Sequence, residues 1–331
     1  LGEGSLKGLS ADQFTVYVSS VTESNKATVL NSRDIFGEYW LTIQAPPKSS
    51  PPVGPQPIFV QLGTEIMEIE EAAVIYENLN LDQMLVIDRS GSMLKESGGM
   101  TRMTAARAAA QLFADAAGSD DLLGVVRFNG DGSDPPSPTN SWDDADIIWP
   151  MSSMSSQVTR DLVGYLVDES NPGNPLNPTG LTSIGDGLYQ GAAGILADDR
   201  AEAENIIILL SDGHENEQTM ISDQLSLLDL LKIKVYTIAL GPHCDEAALT
   251  SLANITGGRF YKIEADEDAA SSPMVAKMVS PSNDMIFKLA DVFLSIHEDS
   301  KKKSRLLEQH VSMSAGETRI INFPVQVGGL K

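Results

Sequence analysis

From about residue 81 to residue 300, apolar positions alternate between two rhythms. Met84–Ile87, Leu122–Phe128, Ile206–Leu210, Val235–Leu240 and Phe260–Ile263 are short continuous apolar runs, the pattern of strands buried on both faces. Between them, Met103, Ala106, Ala110, Phe113 and Ala117 recur at helical spacing. Ile184, Leu188, Gly191 and Ile195 do the same, as do Leu225, Leu228 and Leu231, and then Ile286, Leu289, Ala290 and Phe293. Strand and helix alternating over about 200 residues predict an α/β domain with a mostly parallel sheet flanked by helices. No internal repeat is visible.

The flanks read differently. Phe14–Val18, Tyr39–Ile43 and Ile58–Leu62 are short β-like runs, separated by a Pro-rich break from Pro46 to Pro57. After the charged stretch Lys301-Lys302-Lys303, strand character returns from about Gln309 to Val327. Few strands cannot stand alone in water, so residues 1–80 and 301–331 are expected to complete one small, sandwich-like all-β domain or to belong to two incomplete ones. The expected layout is therefore a β-rich flank at 1–80, the α/β domain at 81–300 and returning strands at 301–331. The chain starts without Met and stops just after a strand-like run, as a mature chain or a fragment would.

Composition narrows the setting. With 46 acidic against 23 basic residues, the formal charge of −23 disfavours nucleic acid and anionic lipid as partners. The same excess suits a saline or calcium-bathed exterior and, equally, ordinary solubility charge. The single cysteine, Cys244, excludes an intrachain disulfide, which fits a prokaryotic surface protein as well as a cytosolic one. No run approaches the roughly 18 apolar residues that span a bilayer.

The chemistry is concentrated where the strand runs end. Met84-Leu85-Val86-Ile87-Asp88-Arg89-Ser90-Gly91-Ser92 passes from an apolar strand into a carboxylate and two hydroxyls at alternate positions. In open α/β sheets, ligands sit in the crevice beyond the carboxyl ends of the strands. Ile206–Leu210 runs into Ser211-Asp212-Gly213 in the same way, and Gly180-Leu181-Thr182-Ser183 places a threonine just before a helix. With Asp88 and Asp212 ending neighbouring strands, one hard cation can collect Asp88, Ser90, Ser92, Thr182 and Asp212. Such a set offers mostly neutral hydroxyl oxygens, so a bound divalent ion stays short of negative charge and attracts one more carboxylate.

These residues resemble the metal-ion-dependent adhesion site of the von Willebrand factor A family, built from Asp-x-Ser-x-Ser, a later threonine and a later aspartate. All five positions match. The resemblance implies a Rossmann-like domain and metal binding at Asp88, Ser90, Ser92, Thr182 and Asp212. In that pattern the serines coordinate directly, the threonine joins when ligand is bound, and the aspartates act largely through water. It further implies Mg2+ or Ca2+, with Mn2+ as a further candidate, and an open coordination position that takes an Asp or Glu from a partner protein. Ile238-Ala239-Leu240-Gly241-Pro242 and Leu252–Tyr261, followed by a β segment, are similar to the secreted chloride-channel-regulator type and its prokaryotic relatives. The zinc-protease helix of the animal regulators is not carried over, because His214-Glu215 is followed by Asn216-Glu217-Gln218 rather than by a spaced second histidine.

Weaker signals have plainer readings. Asn129-Gly130-Asp131-Gly132-Ser133-Asp134, with Asp143, Asp144 and Asp146 following, alternates oxygen ligands like a calcium loop but lacks the terminal Glu and central Gly of an EF-hand; turn chemistry accounts for it, with a second calcium site as the alternative. His243-Cys244 lacks the two further ligands of a zinc site. Asn254-Ile255-Thr256 fits a glycosylation acceptor, and Met151 and Met154 are expected to pack against the sheet.

Three functions compete. The leading one is a non-enzymatic module that binds or adheres to a protein at an extracellular or cell surface, alone or within a larger surface assembly. Its variant has an ion that only holds loops together. An intracellular scaffold partnering an ATPase, in the cytoplasm, is the third. Phosphoryl transfer through Asp88 needs a second acid two residues on, where Ser90 stands, and neither a P-loop nor a Gly-x-Ser-x-Gly elbow is present.

Overall fold

A computed structural model describes residues 8–35, 38–44, 46, 57–69, 80–97, 99–131, 144–198, 200, 203–242, 244–264, 284–301 and 318–323. In chain order the first strands are β1 (Phe14–Val18), β2 (Lys26–Ile35), β3 (Glu38–Gln44), β4 (Ile58–Leu62) and β5 (Glu65–Ile69). There follow β6 (Asn80–Asp88), the two-residue strands β7 (Glu96–Ser97) and β8 (Met100–Thr101), α1 (Arg102–Ala116), β9 (Leu122–Phe128), β10 (Ala145–Ser153) and α2 (Gln157–Val167). The remainder is α3 (Ile184–Asp198), β11 (Ala203–Ser211), α4 (Ile221–Leu230), β12 (Lys234–Leu240), α5 (Glu246–Thr256), β13 (Phe260–Ile263), α6 (Asp284–Lys301) and β14 (Thr318–Phe323).

Contacts divide the chain into two units, one of Leu1–Leu79, Asp115–Gly118 and Lys301–Lys331, the other of Asn80–Ala114 and Ser119–Ser300. The first is built on a six-stranded sheet in the order β14-β3-β2-β1-β4-β5, every neighbouring pair antiparallel. Alternate residues of β1 and β3 point one way, and Phe14, Val16, Val18, Tyr39, Leu41 and Ile43 join Ile58 and Val60 in a separate apolar core. Tyr39 closes that core, its hydroxyl accepting the Leu9 N–H at 2.9 Å.

The second unit carries a six-stranded sheet in the order β10-β9-β6-β11-β12-β13. Its five strands from β9 to β13 in that order are parallel, and β10 is added antiparallel at the edge. This is the α/β architecture that the alternating rhythm predicts. β6 lies at the centre, and from Leu81 to Asp88 every residue is buried, as expected for a strand covered on both faces. On one face Met84 and Val86 pack with Ile207, Leu209 and the apolar stripe Ile184, Leu188 and Ile195 of α3. α1 and α6 bury Phe113 and Phe293 against each other, ring centroids 4.8 Å apart.

α3 lies close to the sheet because its inward face is glycine. A Cβ at Gly187 would come within 2.8 Å of the Phe128 ring, and one at Gly194 within 2.7 Å of Met84 Cε. This close docking fixes the start of α3, which the Thr182 loop precedes. α5 is bounded by Asp245, which accepts the Ala248 N–H at 3.0 Å, and by Gly257 in the left-handed conformation at φ 80°. The Asn254-Ile255-Thr256 acceptor therefore sits in the last turn of a helix, with Thr256 Oγ1 donating to Leu252 O. Met154 is fully buried and Met151 packs on the sheet core, as their sequence setting predicts. Among the described residues no helix is long and apolar enough to cross a membrane.

Candidate metal centre

The parallel register of β6 and β11 pairs Ile87 with Leu210, so the two strands end side by side and release Asp88 and Asp212 into the same crevice. Asp88 is completely buried. It accepts the Ser90 N–H at 2.7 Å and, from the neighbouring strand, the Ser211 hydroxyl at 2.6 Å. Burial pushes its carboxyl up to about 6, helped by the charge of Asp212 and opposed by the Ser211 and Ser90 hydrogen bonds.

A short 3-10 turn over Gly91–Leu94 folds the first motif back on itself. The Ser90 and Ser92 hydroxyls lie 3.0 Å apart, and Ser92 Oγ donates to Asp212 Oδ1 at 2.6 Å. Thr182 joins them from the other side. A Cβ placed on Gly213 would meet Thr182 Oγ1 at 3.4 Å and Ser92 Oγ at 3.7 Å, which locates both hydroxyls against the end of β11. The chain thus brings all five sequence-selected side chains into one cluster. Ser90, Thr182 and Asp212 are buried with Asp88, and Ser92 is half-buried.

The Thr182 loop is held by its backbone. Gly91 N–H donates to Gly180 O at 3.1 Å, Leu181 N–H to Gly130 O at 2.7 Å and Ser183 N–H to Asn129 O at 3.0 Å. Gly180 has φ +76°, and a Cβ there would lie 2.1 Å from Gly130 O, so no other residue fits without moving that strand end. Upstream, three arginines, from α1, β9 and the turn after β6, grip consecutive residues. Arg107 Nη2 donates to Asn174 Oδ1 and Leu176 O, Arg127 Nη1 to Pro175 O, and Arg89 Nη1 to Asn177 O.

Sequence reasoning did not find several residues of this neighbourhood. Asn216 exchanges hydrogen bonds with Thr182, and Glu215 accepts the Gly185 and Ile221 N–H groups at 2.9 Å, bridging the starts of α3 and α4. Burial raises the Glu215 carboxyl to about 7 despite those donors, with Asp223 and Asp186 adding to the rise. Arg102, 3% exposed, donates to Asp212 Oδ2. Only the position of Ser211 between a strand run and Asp212 was a usable signal. Of the calcium-like loop, Asn129 and Asp131 lie beside Asp144, whose backbone and side chain accept their N–H groups, while Gly132, Ser133, Asp134 and Asp143 fall outside the described residues. His243 falls outside them too, and Cys244 is a buried free thiol.

The donor set suits a hard cation. It consists of two buried carboxylates, Asp88 and Asp212, and three hydroxyls, all of them oxygen donors. Among the described residues no group of three His, Cys, Asp or Glu side chains gathers.

The chain is similar to several known proteins. The chain is 30% identical over 179 residues to calcium-activated chloride channel regulator 1 of Bos taurus and 30% identical over 180 residues to regulator 3A-1 of Mus musculus. Each match covers 54% of this chain, which spans only 17% of the length of those relatives. A solved von Willebrand factor type A structure from Catenulispora acidiphila is similar at 15% identity and a TM-score of 0.48, covering 87% of this chain and 50% of that one. The family model of the von Willebrand factor type A domain matches residues 82–274, the stretch that contains all five clustered side chains, and the chain belongs to that family.

Proposed function

We propose that this chain is a divalent-cation-dependent protein-binding module of a secreted or cell-surface protein. An ion held by Asp88, Ser90, Ser92, Thr182 and Asp212 captures an Asp or Glu carboxylate of a partner, and no covalent chemistry is involved. The observation that carries this reading is the convergence of three hydroxyls on two buried carboxylates at adjacent strand ends. When bound, the ion supplies a concentrated positive charge to an anionic oxygen. Mg2+ or Ca2+ is the resident ion in this reading, and Mn2+ suits the same oxygen donors.

The module proper is residues 81–300. The flanking strands β1–β5 and β14 are the part through which it joins a larger surface structure. The likeness to two calcium-activated chloride channel regulators favours a regulatory or adhesive setting outside the cytoplasm over an enzyme. The test is retention of proteins from a native surface extract on the immobilised full chain, in Mg2+, in EDTA and with Asp212→Ala. Retention in Mg2+ that is lost in EDTA and in the variant is expected. Retention indifferent to EDTA refutes the reading.

A further inference from the structure

Arg102 is the first residue of α1, and its guanidinium is buried against Asp212, with Nη1 on Oδ2 while Ser92 holds Oδ1. Both Asp212 oxygens therefore face protein donors. The guanidinium is also enclosed from the far side. Gly241, at the end of β12, has φ +86°, and a Cβ there would lie 2.6 Å from Arg102 Nη2 and 2.8 Å from Cζ and Nε. That contact explains the glycine of Leu240-Gly241-Pro242, since any side chain would evict the guanidinium. Arg102 Nε is buried without a hydrogen-bond partner, so the arginine is held there by its pairing with Asp212 and by packing rather than by a full set of acceptors.

The charge balance follows. Asp88 and Asp212 bring two negative charges, which alone would match a divalent ion and leave a neutral centre. Arg102 cancels one of them, so the protein contributes −1 and the loaded centre carries +1. A residual positive charge in a water-poor crevice acts strongly on an anionic oxygen and weakly on a neutral one. We propose that Arg102 is the specificity-determining positioning residue of this site: it fixes Asp212, weakens the hold on the cation and makes the loaded centre select a carboxylate. This rests on the ion-binding reading given above.

The experiment is calorimetric titration of the full chain with MnCl2, followed by acetate, for wild type, R102Q, R102K, D212N and R102Q/D212N. R102Q is expected to bind Mn2+ about tenfold or more tighter than wild type, because a nearby like charge is removed. R102K, in which an ammonium can still reach Asp212, is expected to bind Mn2+ more weakly than R102Q. Acetate binds Mn2+-loaded R102Q about tenfold or more weaker than loaded wild type. Mn2+ affinity in R102Q equal to or weaker than wild type overturns the proposal, and so does equal acetate affinity. If circular dichroism shows R102Q unfolded, the comparison moves to D212N against R102Q/D212N, in which neither Arg102 nor Asp212 is left as an unpaired charge. The double variant must then bind Mn2+ more tightly, and equal or weaker binding overturns the proposal. A wild-type chain without saturable Mn2+ binding refutes the ion-binding reading itself, an outcome distinct from all of these.

Discussion

Thr182 and Asn216 exchange a pair of hydrogen bonds: Thr182 N–H donates to Asn216 Oδ1 at 2.9 Å, and Asn216 N–H donates to Thr182 O at 3.0 Å. The pair ties the loop before α3 to the loop after β11, so the threonine and Asp212 keep a fixed spacing. Asn216 itself is exposed and holds no carboxylate or hydroxyl of the cluster. We predict that Asn216→Ala weakens Mg2+ binding about tenfold while costing about 1 kcal/mol of stability, the worth of one hydrogen bond. Calorimetry and thermal melting measure the two effects, and unchanged affinity would mean that Thr182 does not need this tether.

Removing the ion should lower the melting temperature. At free Mg2+ about 100 times the dissociation constant, linkage adds about 2.7 kcal/mol to the folded state. Calorimetry should report a single site per chain. Melting curves that coincide with and without EDTA would count against any ion at Asp88 and Asp212.

Asp212→Ala and Ile208→Asp separate function from folding within one strand and its loop. Asp212 lies just beyond β11, so its loss should leave the strands intact by circular dichroism while ending cation-dependent capture, although the unpaired Arg102 guanidinium should lower the melting temperature. Ile208 is fully buried in the middle of β11, and an unpaired carboxylate there costs several kcal/mol, enough to unfold the domain. An Asp212→Ala protein that captures its partner normally in EDTA would make the ion merely structural.

Glu215 gives the ion-free chain a pH dependence of definite sign. Its carboxyl rises from 4.5 to about 7 on folding, so the native state holds the proton more tightly than the unfolded chain. That contribution is complete below about pH 4.5 and is lost as pH rises through about 7. Asp88, raised to about 6, acts in the same direction, so the informative measurement is the difference between wild type and Glu215→Gln. The wild-type melting temperature should decline more steeply than the variant's between pH 4.5 and 7. Parallel profiles would show that Glu215 does not titrate in this window.

Much of the fold and of the cluster was legible because burial leaves a local mark. β6 is apolar from Met84 to Ile87 and then turns polar at Asp88, and the same change from Ile206–Leu210 to Ser211-Asp212 marks the end of β11, so the strand ends and their carboxylates can be read from neighbours in the chain. β10 and α2 left no such mark. β10 is an edge strand with Pro150 inside it and exposed residues on both sides of its pleat, and α2 leaves Val158, Leu162 and Tyr165 in solvent, so neither shows a clean apolar rhythm. β2 is similarly mixed, with a register shift between Val29 and Asn31.

By itself, the sequence determined the alternation of strand and helix, the family, and the five side chains with the right chemistry at element ends, since each of these depends on residues within a few positions of one another. The tertiary structure alone decided what surrounds them. Arg102 meets Asp212 across 110 positions, Ser211 meets Asp88 across 123, and Asn216 meets Thr182 across 34. Those meetings depend on which strands are neighbours, on the register of β6 against β11 and on how closely α1 and α3 dock on the sheet. No local pattern encodes such relations, because they follow from packing the whole domain at once.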